Sequence, residues 1–366
     1  MSFFKKINLK NYRNFQFFEK NFIKNCNVFY GINGSGKSNV LESISMFDKG
    51  TGFRNDRLVN IIRSGEDNFF NYGNFNYVGQ EYNIKIFSQR NNEKISKKIQ
   101  INNENNKDSL NHFRSLLSFI YFQPEMERFF LSTPSYKRKF IDRFIYSHNK
   151  NYNKIIIEYK KNILERSKLL KLQTPDEEWI KNIEENISKL GIEIYKCRLE
   201  QIEILNSNLL NLYSDKKSPY LITMQINDDF LNRNIDIIND LDNYKKHLKN
   251  NRKNDFFSGM TNFGPHRSDF SGLINNDFPL NQLSTGEQKT IILLLILAQC
   301  SFLINECKIY PIILMDEICS HLDDINRSIL LKLTNEFDLQ FFMTGTDKSL
   351  FSFLSTNAEY YNISNQ

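Results

Sequence analysis

Gly31-Ile32-Asn33-Gly34-Ser35-Gly36-Lys37-Ser38 decides the fold, because it satisfies G-x-x-x-x-G-K-[ST] in a strand–turn–helix setting. The apolar run Cys26–Tyr30 precedes it, and Val40, Leu41, Ile44 and Phe47 follow at helical spacing. Glycines permit positive φ, so the backbone can wrap an anion while the next helix offers its positive end. In such a loop Lys37 reaches the β- and γ-phosphates and the Ser38 hydroxyl ligates Mg²⁺. Gly31, Ile32, Asn33, Gly34, Ser35, Gly36, Lys37, Ser38 and Asn39 are the expected cradle for ATP.

A site of this kind needs a carboxylate at the end of a buried strand. Ile312-Ile313-Leu314-Met315-Asp316-Glu317 supplies two. Asp316 is expected to hold Mg²⁺ through water, and Glu317 to polarise the attacking water. Leu283-Ser284-Thr285-Gly286-Glu287-Gln288 stands immediately before the most apolar helix of the chain, and Ser284 with Glu287 forms a capping box. Its capped N-terminus, with a Ser hydroxyl and the close approach that Gly286 allows, reads as a second anion site.

The order phosphate loop, capped helix, acidic strand resembles that of ABC-class ATPases. There the capped helix of one protomer covers the γ-phosphate held by the other, so two copies sandwich two nucleotides. Gln123-Pro124 falls where the Q-loop of that class would lie, and His321-Leu322-Asp323 where its D-loop would. Thr344-Gly345-Thr346-Asp347 takes the place of the γ-phosphate switch. Transporters usually carry His at the switch; here Thr344 or Thr346 would have to serve.

Within that class the sequence resembles the RecF family of bacterial recombination-mediator ATPases, on its alphaproteobacterial branch. The likeness rests on the opening Ile7-Asn8-Leu9-Lys10-Asn11-Tyr12-Arg13-Asn14-Phe15, on Gly52-Phe53-Arg54 and on Gln123-Pro124-Glu125. It is most specific in Lys137-Arg138-Lys139-Phe140-Ile141-Asp142 and Phe263-Gly264-Pro265-His266-Arg267-Ser268-Asp269. The resemblance implies an ATP-dependent homodimer that binds double-stranded or gapped DNA and hydrolyses ATP slowly with DNA stimulation. It also implies action with RecR and RecO in loading RecA, in repair, replication restart and SOS induction.

Composition sets the outer bounds. The chain has 366 residues and a net charge of +6, with 40% apolar residues, 32 Phe and 17 Tyr, which excludes disorder of the low-hydrophobicity kind. The longest uninterrupted apolar run is the eight residues 291–298, short of the roughly 20 needed to span a bilayer. With no signal peptide legible and five Cys in no ligand or disulfide spacing, a cytoplasmic protein with reduced thiols and no membrane partner is expected. Residues 137–143 and 150–171 together concentrate a net +8 (eleven bases, three acids), the kind of patch phosphate contacts require. Lys137, Arg138 and Lys139, with Arg54, are the candidate DNA contacts.

The chain reads as an α/β protein, an ABC-type P-loop ATPase head of mixed sheets with flanking helices, interrupted by a mainly α-helical lobe. The expected head comprises residues 1–122 and 256–366, and the lobe 123–255, whose stretch 137–213 is almost free of Pro and Gly. Three other readings compete, one of them a P-loop module that uses ATP only as a dimer clamp and hydrolyses nothing, against which Glu317 stands. A transporter's ATPase subunit would lack the long insertion, and a structural chromosome organiser would need hundreds of heptad residues where only about 245 separate Ser38 from Ser284.

Overall fold

Phe4, Ile7, Leu9 and Tyr12 are buried along one strand, whose register shifts between Phe4 and Lys6. The computed structural model describes residues 2–48, 52–54, 56–91, 94–172, 176–233, 235–320 and 322–364. That first strand, β1 (Ser2–Tyr12), turns back into β2 (Phe15–Asn21). β3 (Cys26–Tyr30) is buried on both faces, and α1 (Lys37–Ser45) follows the glycine loop. Then come α2 (Leu58–Ile61), β4 (Phe70–Tyr77), β5 (Gln80–Asn91), β6 (Lys94–Ile101), α3 (Lys107–Leu116) and β7 (Phe119–Phe122).

The middle of the chain holds α4 (Pro134–His148), α5 (Tyr152–Leu170) and the 38-residue α6 (Glu177–Ser214). β8 (Ile222–Asn227), α7 (Asp229–Arg233), α8 (Leu241–Asn250), α9 (Arg252–Ser258), β9 (Asp269–Ile274) and β10 (Phe278–Pro279) complete it. The chain ends with α10 (Thr285–Asn305), β11 (Ile312–Met315), α11 (Asp324–Glu336), β12 (Phe341–Gly345) and β13 (Ala358–Asn362).

These elements form two compact units, Met1–Glu127 with Thr285–Gln366, and Arg128–Ser284. The first holds an antiparallel sheet in the order β2-β1-β4-β5-β6 and an all-parallel sheet in the order β13-β3-β12-β11-β7. Side chains from both sheets and α1 share one core in which Phe4 stacks on Phe47 at 5.1 Å and Phe29 on Phe342 at 6.4 Å. The abundance of Phe is thus packing material for this junction. α10 is long and apolar enough, by length and composition, to cross a membrane, yet most of it is buried inside this unit as a core helix.

The second unit corrects the expected boundary. Residues 256–284, assigned to the head from sequence, cluster with the helical unit because β9 pairs along its full length with β8 (Asn227↔Asp269 to Ile222↔Ile274). Residues 123–127 go the other way, into the first unit. In α6, Gly191 is required by close approach: a Cβ there would lie 2.7 Å from the Tyr244 hydroxyl. Arg166 is fully buried, donating to Glu184 (3.0 Å), Asp255 (2.7 Å), Thr261 (3.0 Å) and the Leu248 carbonyl (2.8 Å). Such a network satisfies the charge where a lone guanidinium could not be buried.

Candidate functional site

Four strand ends share one edge of the parallel sheet: β3 leads into Gly31, β7 into Gln123, β11 into Asp316, and β12 closes at Gly345. The crevice beyond the carboxyl ends of such strands is where α/β sheets bind ligands. The register is tight, since Met315 lies opposite Phe122 and the Asp316 N–H donates to the Phe122 carbonyl at 2.9 Å. Gln123, half-buried, is therefore level with the acidic pair.

The loop itself is built on left-handed backbone at Gly31, Gly34 and Gly36, with φ of 149°, 83° and 107°. At Gly36 a Cβ would also stand 2.6 Å from the Asn14 amide, so neither conformation nor space admits another residue. Lys37 folds back and donates from Nζ to the carbonyls of Gly31 (2.8 Å) and Ile32 (2.9 Å). Burial lowers its pKa below the usual lysine value, against the opposing pull of Glu317 and Asp316. Ser38 Oγ donates to Asp316 Oδ1 at 2.7 Å, joining two residues 278 positions apart.

Thr344 completes the arrangement. Its buried hydroxyl donates to the same Asp316 Oδ1 (2.7 Å) and accepts the Glu317 N–H (2.8 Å). Both valences are engaged, so Thr344 positions the acids, while Thr346 is exposed. Glu317 itself has φ of +50°, a conformation that costs a non-glycine residue of order 1 kcal/mol or more.

The donor set fits a magnesium–nucleotide. Ser38 and Asp316 offer hard oxygens, Ser35 Oγ is buried without a hydrogen-bond partner among the described residues, and Gly36 stands at the N-cap of α1 with no side chain to cap it. Among the described residues no group of three or more His, Cys, Asp or Glu could hold a metal. That composition suits an ion that keeps several waters and leans on phosphates.

Two residues at the site, Asn14 and Lys289, carried no expectation of their own, and a third, Arg54, was expected only as a DNA contact. Asn14, in the β1–β2 turn, donates to the Ser35 carbonyl (2.9 Å) and accepts from Asn39 (2.7 Å), bracing the loop from outside. Lys289, 2% exposed in the first turns of α10, donates to Glu127 (2.9 Å) and to the Ser320 carbonyl (2.7 Å), fixing the segment after the acid pair. A lysine just ahead of the apolar run 291–298 was the only signal for that bond. Arg54 is exposed and donates to Asn39 Oδ1 at 2.8 Å, which puts it at the rim of the loop.

Ser284, exposed, immediately precedes α10, and Gly286 is its second residue, where a Cβ would meet nothing within 4 Å. Asp323 is exposed and caps α11 by accepting the Asn326 N–H at 2.8 Å. His321 lies outside the described residues. Among the basic candidates the structure makes a correction. Lys137 is 6% exposed and paired with Asp269 at 2.9 Å, and Arg138 donates to the Ser268 carbonyl at 2.6 Å. Both bolt α4 to the 263–269 segment, which leaves Lys139 as the exposed base of the three.

The chain matches the RecF/RecN/SMC N-terminal domain family over residues 3–366. It is 32% identical over 344 residues to the DNA replication and repair protein RecF of Rickettsia bellii (strain OSU 85-389), covering 93% of each chain. With the RecF protein of Rickettsia massiliae (strain Mtu5) it shares 30% over 359 residues, 98% of each chain. A solved structure of the recombination mediator protein RecF-ATPrS in the RecFOR pathway superposes with a TM-score of 0.83 at 26% identity, covering 99% of this chain and 96% of that one. The RecF-ATP structure gives 0.81 at 27%, with coverage of 95% and 93%. An SmcHead bound to the C-winged helix domain of ScpA, at 16% identity and a TM-score of 0.57, covers 98% of this chain and 93% of that one and shares the fold.

Proposed function

The chain belongs to the RecF family, and from that premise we propose that it is an ATP-gated DNA clamp acting as a recombination mediator in DNA replication and repair. Its fold is the ABC-type ATPase head common to RecF proteins and Smc heads. The observation that carries the proposal is the 2.7 Å bond between Ser38 and Asp316, which puts the phosphate loop and the acidic strand in one site. RecF structures described with ATP and with ATPrS support the identity of the nucleotide. A transporter subunit is set aside, since the relatives are DNA repair proteins over nearly the whole chain.

In this reading the loop amides and Lys37 hold the β- and γ-phosphates, and Ser38 and Asp316 hold Mg²⁺, which supplies charge neutralisation at the phosphates. Glu317 orients and polarises the attacking water, with Thr344 fixing its backbone. Gln123 senses the occupied site. Ser284 and Gly286 close the site of a second copy in trans, flanked by Asp323. Hydrolysis at Glu317 reopens the dimer. Lys139 and Arg54 contribute to DNA contact, and RecR, RecO and RecA are the family's partners in the cytoplasm.

The test is light scattering of Glu317→Gln protein with ATP, which should give a stable dimer; a monomer at saturating ATP overturns the trans site. Binding to single-stranded, double-stranded and gapped DNA, with and without ATP over a salt series, checks the clamp. Affinity should require ATP and fall steeply with salt. Equal binding without ATP overturns the gating.

A further inference from the structure

Two distant segments grip the phosphate loop. Asn14 holds the Ser35 carbonyl on one side, and the residues that follow β13 hold the other. β13 pairs with β3 to its last residue, Asn362 opposite Tyr30, and the Ile363 N–H then donates to the Tyr30 carbonyl at 2.9 Å. Ile363 is buried in the core shared by both sheets and anchors what comes next. Ser364 is thereby set against the start of the loop. Its hydroxyl accepts the Ile32 N–H at 3.1 Å, while its own N–H donates to Asn362 Oδ1 at 2.9 Å.

This contact restricts the loop's sequence. A Cβ on Gly31 would collide with Ser364 Oγ and stand 3.2 Å from the Ser364 nitrogen, so the neighbour as well as the backbone demands glycine there. The same two residues orient Lys37. Its ammonium donates to the Gly31 and Ile32 carbonyls at 2.8 and 2.9 Å, which commits two of its three protons and leaves one for a phosphate oxygen. Where that proton points depends on where the peptides of residues 31 and 32 lie.

We infer that Ser364 is a positioning residue of the nucleotide site: by fixing the Ile32 amide it holds the Gly31 and Ile32 carbonyls in place, and through them it aims the Lys37 ammonium at the β- and γ-phosphates. This rests on the magnesium–nucleotide reading of the loop. Ser364 acts through Lys37 and not on the nucleotide. A water molecule at the same place would satisfy the Ile32 N–H but leave residues 31 and 32 free to shift. The hydroxyl instead rides on β13, which is paired to the very strand that feeds the loop. The lysine is therefore set before the nucleotide arrives, and less ordering is required on binding.

The experiment uses the full chain and a fluorescent ATP analogue with Mg²⁺, titrated to millimolar concentrations so that weakened sites still fill. Ser364→Ala should weaken binding by about three- to tenfold, the worth of one hydrogen bond. Ser364 is half-buried at the surface of the loop, and an unchanged thermal midpoint verifies folding. The deciding variant is Lys37→Met, alone and combined with Ser364→Ala. Without the ammonium Ser364 has nothing to aim, so the double variant should bind as the Lys37→Met single does. Equal affinity of Ser364→Ala and the unaltered protein overturns the inference. Additive losses in the double variant do so too, because Ser364 would then act independently of Lys37. Failure of the unaltered protein to bind the analogue saturably would instead overturn the nucleotide site itself, and the inference with it.

Discussion

Thr344 shows how one hydroxyl can set the geometry of two carboxylates. Its proton goes to Asp316 and its lone pair takes the Glu317 N–H, so the strained backbone of Glu317 is held by a group that never meets solvent. Thr344→Val should lower ATP turnover by about 10–100-fold with little change in nucleotide affinity, and Thr344→Ser should restore most of it. Single-turnover kinetics separate the two effects; a loss confined to affinity would contradict the positioning role. His266 is the other residue whose surroundings fix its chemistry. Its Nδ1 accepts from the Tyr159 hydroxyl (2.8 Å) and its Nε2 donates to the Thr261 carbonyl (2.9 Å), a pattern that suits the neutral ring. Burial, with Arg267 and the neighbouring arginines adding to it, pushes its pKa down to about 4. The unfolded chain therefore binds a proton that the native state refuses. Stability should be full above about pH 6.5 and decline as pH falls to about 4, by about 3 kcal/mol, as urea midpoints against pH would show. His266→Gln should flatten that part of the slope.

Among the elements, the helix that begins at Thr285 and the long α6 make separate demands. Ser284 stands exposed at the head of α10, so a bulky cation there leaves the fold intact while blocking a second molecule. Ser284→Arg should bind ATP analogues normally by fluorescence yet remain monomeric with ATP; loss of nucleotide binding would mean that the residue acts within its own chain. In α6, Gly191 lets Tyr244 approach the helix backbone. Gly191→Ala should destabilise by about 1–3 kcal/mol through overpacking, despite alanine's higher helix propensity. The elements differ in how far their sequences disclosed them. β3 is legible to its last residue, because an apolar run before a glycine loop leaves no choice. α5 and α6 are legible as helix from a stretch almost free of Pro and Gly, and Asp176 caps the start of α6. The pairing of β9 with β8 was not, because sheet partners across about 40 residues leave no local trace. Likewise Lys137 reads as a surface base until its partner, Asp269, is brought across 132 residues.

For the molecule as a whole, the parts of the site legible in sequence are those whose chemistry dictates spacing: the loop, the acid pair and the capped helix. The parts that escaped, Asn14 and Lys289, act through contacts between distant segments. Arg166 belongs to the same category in the helical unit. Arg166→Met would leave Asp255 buried without its cation and take from Glu184 one of its two arginines, Arg252 remaining at 2.7 Å, which should cost about 3–5 kcal/mol in urea unfolding. A smaller effect would show that water reaches the network.

The strand order β13-β3-β12-β11-β7 also dictates a timetable. β3 is made early, yet both of its neighbours, β12 and β13, lie within residues 341–362. On a ribosome the nascent chain therefore carries an unpaired, largely apolar strand through the synthesis of more than 300 further residues. The contiguous second unit, 128–284, can fold meanwhile. The parallel sheet can close only late, so the nucleotide site is also a completion signal: Ser38 and Thr344 meet at Asp316 only after almost the entire chain has emerged. Such late pairing is slow and aggregation-exposed.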